Sequence, residues 1–387
     1  MNKDLCEVFR CPQCGCNTME VVTSHSVRVN YSNSTINAEI KNGTIECAKC
    51  ETKFPIKDFI PSFIKLGSTD VNVITEGEYW GKYYNNLFCK EILNFIDIQE
   101  PHVPLFPFLK RLLRAPETVS WEKRKSLRQQ IGRTSMRIFQ NDECEKLLNN
   151  EYLNKKSFRG STVLEVGCGS GWLSLELNRK GSSVLGLDPS FEALRIAKSY
   201  AIAKGIHVEY VHSDVALPIF KDDVFDSVFA FHALHHAQDF KRTLVNIKNW
   251  LNMNGLFFVY DHRRRTFKPL EITNIIIDLP FLAILDFRFK NEANHLVAIV
   301  QSSSPNEDAS ANSLALIEEY FHVIRKIYFS HFLSDFPRTL LFAFQLGEPA
   351  EILGLARLTT FVQELIKTVS TNNCDFVFYI ASKRNIP

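Results

Sequence analysis

Residues 165–171 read Glu-Val-Gly-Cys-Gly-Ser-Gly and have the clearest capacity for chemistry in this sequence. The apolar run before the glycines predicts a buried parallel strand, and residues 172–180 predict a helix. Gly167, Gly169 and Gly171 would form the turn between them, where glycine lets the backbone approach a ligand closely. Because the first N–H groups of a helix favour an anionic group, we expect a ligand above this turn.

Two common ligands of such turns are excluded by the spacing. A dinucleotide fingerprint has a third glycine where this sequence has Trp172, and a Walker loop would continue with Gly-Lys-Ser/Thr. What remains is a glycine loop in which Glu165 stands two residues before the first glycine.

Two aspartates follow the glycine loop, each at the end of an apolar segment. Asp188 ends a second predicted strand, where a carboxylate can accept both hydroxyls of a ribose, and Asp214 ends a third, where it could accept from an adenine amino group. Residues 225–231 and 256–262 predict a fourth and a fifth strand. Helices of ordinary length alternate with these strands, which predicts a doubly wound parallel sheet with its ligand at the carboxyl ends.

These motifs, together with Ser-Asp-Val at 213–215 and Leu-His-His-Ala-Gln-Asp at 234–239, resemble the class I S-adenosylmethionine-dependent methyltransferases. The resemblance implies an α/β fold with a seven-stranded, Rossmann-like sheet whose sixth and antiparallel seventh strands fall at residues 322–332 and 374–384. It also implies a set of residues that bind S-adenosylmethionine: Glu165, Gly167, Gly169, Gly171, Asp188, Asp214, Val215 and Phe231, with His232 beside Phe231.

The implied reaction moves a methyl group from a sulfonium to a nucleophile. Alignment of the reactants supplies much of the acceleration, and a base is needed only when the acceptor must lose a proton. Candidates for that base are His235, His236 and His262, because histidine is the commonest proton acceptor near neutral pH. Tyr260 and Asp261 are equal contenders, and structural roles for all of these residues remain open.

Two Cys-x-x-Cys pairs precede this region, and they offer the ligand set of a structural zinc site: Cys11, Cys14, Cys47 and Cys50. Cys6 and Cys16 are nearby and could compete, and the alternatives are reduced cysteines or a redox pair. β-Branched residues between the pairs, with a hairpin turn predicted at residues 41–44 (Lys-Asn-Gly-Thr), indicate a small β zinc ribbon.

The chain therefore divides into a zinc ribbon (1–66), a helical linker or lid segment (67–158) and a methyltransferase domain (159–387) with helical insertions at about 263–312 and 337–369. In the middle segment, the aromatic residues Tyr79, Trp80, Tyr83 and Tyr84 could cap a substrate pocket or simply pack in a core.

Composition leaves the acceptor open. The net charge of +2 is too small to attract nucleic acid to the protein as a whole. The sequence also lacks the Asn/Asp-Pro-Pro-Tyr motif of enzymes that methylate amides or adenine and the Pro-Cys motif of enzymes that methylate pyrimidines. We expect a small-molecule acceptor. An RNA methyltransferase that grips RNA through the ribbon and the basic residues 110–137 is the alternative, and a non-catalytic binding protein is the second. No signal peptide or membrane span is predicted, so we expect a cytoplasmic protein; the sequence does not indicate its oligomeric state.

Overall fold

The computed structural model describes residues 1–32, 38–64, 71–87, 158–262, 311–329 and 376–383. They form a four-stranded N-terminal sheet and a seven-stranded sheet flanked by helices, which confirms the predicted α/β class. The basic residues 110–137, the insertion at 337–369 and nearly all of the insertion at 263–312 lie outside the described residues. Among the described helices, none is both long and apolar enough to cross a membrane.

The N-terminal sheet is antiparallel throughout, with its strands in chain order after a 3-10 turn at Lys3–Val8. Its strands are β1 (Met19–Val27), β2 (Glu39–Cys47), β3 (Lys53–Lys57) and β4 (Ile60–Pro61).

The hairpin turn predicted at residues 41–44 is wrong, because these residues lie inside β2 and pair with β1. Gly43 is opposite Ser24, and a Cβ atom at Gly43 would lie 2.4 Å from the Thr23 carbonyl oxygen. Gly43 therefore allows β1 and β2 to approach closely and does not form a turn. The β1–β2 pair also has two register shifts near this point.

The large sheet has the order β10-β11-β9-β8-β5-β6-β7, and only β11 runs antiparallel to its neighbours. Its strands are β5 (Thr162–Val166), β6 (Ser183–Asp188), β7 (Glu209–His212), β8 (Phe225–Phe231), β9 (Leu251–His262), β10 (His322–Phe329) and β11 (Phe376–Ser382). The last two are the sixth and seventh strands predicted from the sequence, the seventh antiparallel as expected.

Five described α-helices accompany the sheets: α1 (Val71–Leu87), α2 (Trp172–Arg179), α3 (Phe191–Ala203), α4 (Phe240–Trp250) and α5 (Ile317–Tyr320). The longer crossover helices start where a side chain caps the first turn. The Ser190 hydroxyl accepts from the Ala193 N–H at the start of α3, and the Asp239 carboxylate accepts from the Arg242 N–H at the start of α4.

The N-terminal sheet packs against the β7 end of the large sheet and shares its core. Ser62 forms a parallel bridge with His212, and the Phe63 N–H donates to the His212 carbonyl at 2.9 Å. The Phe9 ring lies between those of Phe63 and Phe220, with centroid distances of 4.9 and 5.9 Å. One continuous apolar cluster therefore joins the two units.

Candidate functional site

The glycine loop forms a turn between β5 and α2, where the sequence predicted one. Gly167, Gly169 and Gly171 have φ values of 66°, 50° and 75°, a region that residues with a Cβ rarely adopt. A Cβ atom at Gly167 would lie 2.3 Å from that of Ala233, and one at Gly171 would lie 2.4 Å from the Tyr210 hydroxyl. At Gly167 and Gly171 the fold therefore has room only for backbone, and the loop leads directly into α2.

Asp188 lies against this loop at the end of β6. Its carboxylate accepts from the Gly169 N–H at 2.8 Å and from the Ser190 N–H at 2.7 Å, one bond on each oxygen. Burial raises the pKa of Asp188 to about 6, while the two backbone donors oppose that shift. Because two carboxylate oxygens offer about four acceptor positions, this group still has capacity for two hydroxyl donors.

Glu165 lies beneath the loop and bonds to α2. The Ser174 hydroxyl donates to the Glu165 carboxyl group, and both side chains are buried. Burial raises the pKa of Glu165 to about 8, so this group carries a proton at neutral pH. Its position indicates that it fixes α2 on β5 and so shapes the glycine loop from below.

The remaining predicted cofactor residues lie at the ends of β7 and β8. The Asp214 carboxylate accepts from the Ala216 N–H at 2.9 Å, and the Asn246 amide donates to the Val215 carbonyl at 3.0 Å. Phe231 is buried beside Tyr260. These contacts fix the turn after β7 and pack Phe231 against β9.

A short 3-10 turn, Leu234–His236, follows β8 and is anchored by β9. Asp261 accepts from the Leu234 N–H at 2.8 Å and the His235 N–H at 3.2 Å, and its other oxygen lies 2.5 Å from His235 Nδ1. The structure thus brings three of the five candidate proton acceptors together: His235, His236 and Asp261. Tyr260 lies buried in β9 with its ring against His232, and the His262 side chain lies outside the described residues.

Sequence reasoning missed Glu76, which reaches the same turn from α1. The Trp80 indole N–H donates to Glu76 Oε1 at 2.6 Å, and His236 Nδ1 lies 3.2 Å from the same oxygen. The only sequence feature that pointed to a role for the segment around Glu76 was its aromatic composition. Of the four aromatic residues noted there, Trp80 lies beside His236, whereas the side chains of Tyr83 and Tyr84 lie outside the described residues.

The four cysteines of the N-terminal unit meet at one point. Their Sγ atoms all lie within 4.8 Å of one another, with 3.6 Å between Cys11 and Cys50 and 3.5 Å between Cys14 and Cys47. Tetrahedral zinc with bonds of about 2.3 Å would separate its sulfurs by about 3.8 Å, so this donor set fits the metal. Cys6 and Cys16 are not part of the group.

The two cysteine turns have the same backbone hydrogen bond. The Gly15 N–H donates to the Cys11 carbonyl and the Glu51 N–H donates to the Cys47 carbonyl, both at 2.9 Å. Gly15 has φ 71° and Glu51 has φ 55°. The second turn therefore folds back as tightly as the first without a glycine.

A second group of possible ligands, formed by Glu39, His207 and Glu209, already contains a cation. Lys198 Nζ lies 2.9 Å from Glu39 and 3.9 Å from Glu209, and the lysine is buried. Because the ammonium groups of Lys198 and of the Met1 N-terminus already pair with these carboxylates, we interpret this group as an ion-pair network that joins the N-terminal unit to α3 and β7.

The central part of this chain matches a known family of protein domains. Residues 164–259 match the family model described as a methyltransferase domain, a span that runs from β5 into β9 and contains the glycine loop, Asp188 and the His235–His236 turn.

Curated relatives match a segment of 81 residues of this chain. Ubiquinone biosynthesis O-methyltransferases of Salmonella typhimurium and Escherichia coli O7:K1 are 42% identical over 81 residues, which is 21% of this chain and 34% of each relative. The matched segment thus spans about a third of their length. Among solved structures, a putative sarcosine dimethylglycine methyltransferase from Galdieria sulphuraria aligns with a TM-score of 0.39 and 17% identity, over 63% of this chain and 86% of that one.

Proposed function

We propose that this protein is an S-adenosylmethionine-dependent methyltransferase with a small-molecule acceptor. The observation that carries the proposal is the contact between Asp188 and the glycine loop at the carboxyl ends of β5 and β6, inside the segment that matches a methyltransferase domain. A buried carboxylate beside a glycine-rich loop suits a nucleoside with an adjacent charged chain.

In this proposal each part of the site has one task toward the cofactor, which supplies a methyl group on a sulfonium. Gly167, Gly169 and Gly171 admit its methionine portion, and Asp188 accepts the ribose hydroxyls. The turn that holds Asp214 and Val215 faces the adenine, with Phe231 as an apolar floor. Glu165 acts on the cofactor through the loop that it supports.

A small-molecule acceptor is supported by the curated relatives, whose name describes an O-methyltransferase of ubiquinone biosynthesis. RNA as acceptor has less support, because the N-terminal unit packs into the core of the large sheet. Three glycines with positive φ in one loop support a retained cofactor site over a protein that has lost it.

We propose further that the four cysteines hold a structural zinc ion, since four thiolates leave no position for water or substrate. Elemental analysis of the purified protein should find about one zinc per chain, lost when Cys47 and Cys50 are both replaced by Ser. A metal-free wild-type protein would refute the site. A reducing compartment such as the cytoplasm suits these thiols.

The cofactor is tested by calorimetric titration with S-adenosylmethionine, S-adenosylhomocysteine and NAD. We expect micromolar binding of the first two and none of NAD, and Asp188→Asn should weaken binding about tenfold or more through the lost charge-assisted bonds. Equal binding by wild type and variant would remove Asp188 from the site. Absence of binding would favour a non-catalytic role, and salt-dependent binding of bulk RNA would favour the RNA alternative.

A further inference from the structure

Glu76 is a buried acid that the proposed cofactor site leaves unused. Its side chain is 5% exposed, and Oε1 receives the Trp80 indole N–H while lying 3.2 Å from His236 Nδ1. Within the part of the chain that the structure describes, Oε2 has no hydrogen-bond partner. A buried carboxylate with an unsatisfied oxygen is costly, so its retention needs a reason.

Helix α1 holds Glu76 above the glycine loop. At Gly77 the helix meets the turn after β6 so closely that a Cβ atom would lie 2.3 Å from the Pro189 carbonyl oxygen. At Glu76 it meets the turn after β8 through His236. Because β5 lies between β6 and β8 in the sheet, α1 passes over the carboxyl end of β5, where the glycine loop begins.

The contact with Glu76 defines the chemistry of His236. Because a carboxylate can only accept a hydrogen bond, its position beside Nδ1 favours the tautomer with the hydrogen on Nδ1, and we expect Nε2 to be the nitrogen that takes a proton. The same carboxylate stabilises the imidazolium once it forms, as in other histidine–carboxylate pairs.

The neighbouring pair, His235 and Asp261, has a different environment. Both side chains are at most 4% exposed, and Asp261 also binds the backbone N–H groups of Leu234 and His235. Asp261 therefore fixes the 3-10 turn to β9. The ring centroids of His235 and His236 lie 3.7 Å apart. The His236 side chain is 14% exposed, so it is the more accessible of these two rings.

We propose that His236 is the general base for a hydroxyl acceptor and that Glu76 is its positioning residue, an inference that rests on the proposed methyltransferase function. The acceptor oxygen forms a bond to the methyl carbon while the bond from that carbon to the sulfonium sulfur breaks. The sulfonium becomes the thioether of S-adenosylhomocysteine. The hydroxyl proton passes to His236 Nε2 and then to water.

A hydroxyl acceptor is the class that this pair suits. A neutral amine attacks through its own lone pair, whereas a hydroxyl is a weak nucleophile until its proton leaves. Among the described residues, the titratable groups near His236 include Glu76 from α1, His235 within the turn, and Asp261 from β9 through His235, and the Trp80 ring packs against it. Both carboxylates favour a positive charge here, so the turn can store the proton that the reaction releases.

The test uses 4-nitrocatechol, a hydroxyl compound whose colour reports its ionisation, added to the full chain saturated with S-adenosylhomocysteine. On the wild type we expect the bound dye to ionise at a lower pH than the free dye. His236→Asn should remove this effect. Glu76→Gln should shift the midpoint of ionisation upward by about one pH unit, a tenfold change in the ionisation constant.

Glu78→Gln is the matched control, because Glu78 is an exposed residue on the same helix and the substitution is the same. It should behave as the wild type does. The proposal is overturned if Glu76→Gln and Glu78→Gln cannot be distinguished, or if the wild type does not ionise the dye. It is also overturned if Glu76→Gln weakens S-adenosylhomocysteine binding tenfold and leaves the dye unaffected, because Glu76 would then belong to the cofactor site.

A second measurement is independent of any acceptor. Nitrogen NMR of the imidazole groups should find Nδ1 of His236 protonated in the wild type, and Glu76→Gln should lower the pKa of His236 because a charged partner is lost. An unchanged titration would contradict the pairing. Failure of the proposed function itself is recognised separately, because S-adenosylhomocysteine would then not bind the wild type.

Discussion

The carboxyl group of Asp188 makes the proposed cofactor site sensitive to pH. Burial raises its pKa to about 6, and a protonated carboxyl accepts fewer hydrogen bonds from a ribose. The affinity for S-adenosylhomocysteine should therefore rise with pH through about 6 and be about tenfold weaker at pH 5 than at pH 7. Calorimetry across this range measures the effect, and Asp188→Asn should give weak binding that does not change with pH.

Glu165 predicts a pH dependence of stability. Its ordinary pKa of 4.5 is raised to about 8 by burial, so between these values the native state binds more protons than the unfolded chain. The free energy of unfolding should fall as pH rises through this window. Glu165→Gln mimics the protonated acid, so the contribution of this group to the pH dependence of the unfolding free energy should vanish in the variant. Urea titrations at pH 6 and pH 8 measure that dependence. A steeper slope in the variant would contradict the assignment.

Single residues differ in how far the sequence predicts them. Asp188 and the three glycines could be placed because each stands at a fixed offset from a strand end, and strand ends converge on one side of a parallel sheet. Glu76 stands in no motif. Its role depends on where α1 docks, and docking is decided by tertiary contacts such as that of Gly77 with Pro189.

At the scale of elements, the position of α1 depends on the absence of a side chain at Gly77. Alanine there would favour the helix by about 1 kcal/mol, yet its Cβ would lie 2.3 Å from the Pro189 carbonyl oxygen. Gly77→Ala should therefore push α1 away from β6 and weaken S-adenosylhomocysteine binding about tenfold, while circular dichroism keeps its helical signal. Glu78→Ala on the exposed side serves as the control; equal affinity in both variants would contradict this packing.

The strands around the site could be located in the sequence because β5 and β6 are apolar runs that end at Gly167 and Asp188, and β7 is followed closely by Asp214. The course of β2 could not be predicted. Its Lys-Asn-Gly-Thr segment has turn chemistry, but the pairing with β1 and the close approach at Gly43 override that local preference.

At the scale of the whole molecule, two ion pairs join the N-terminal unit to α3 and differ in burial. Lys198 pairs with Glu39 in the core, whereas Arg195 pairs with Asp58 at 3.5 Å on the surface. Lys198→Met should cost more than about 1 kcal/mol because it removes one of the two ammonium groups that face the buried Glu39, the other being that of Met1, and Arg195→Met should cost less than about 1 kcal/mol. Chemical denaturation measures both, and similar losses would contradict this distinction.

The bridge between Ser62 and His212 has a consequence for how the chain can be handled. β7 is the outermost strand of its sheet, and an uncovered outer strand is a template for pairing with other molecules. The N-terminal unit covers part of that template and the apolar surface around Phe220. A fragment that begins at residue 159 would expose both, so it should aggregate during expression, and catalysis is better dissected by point substitution than by truncation.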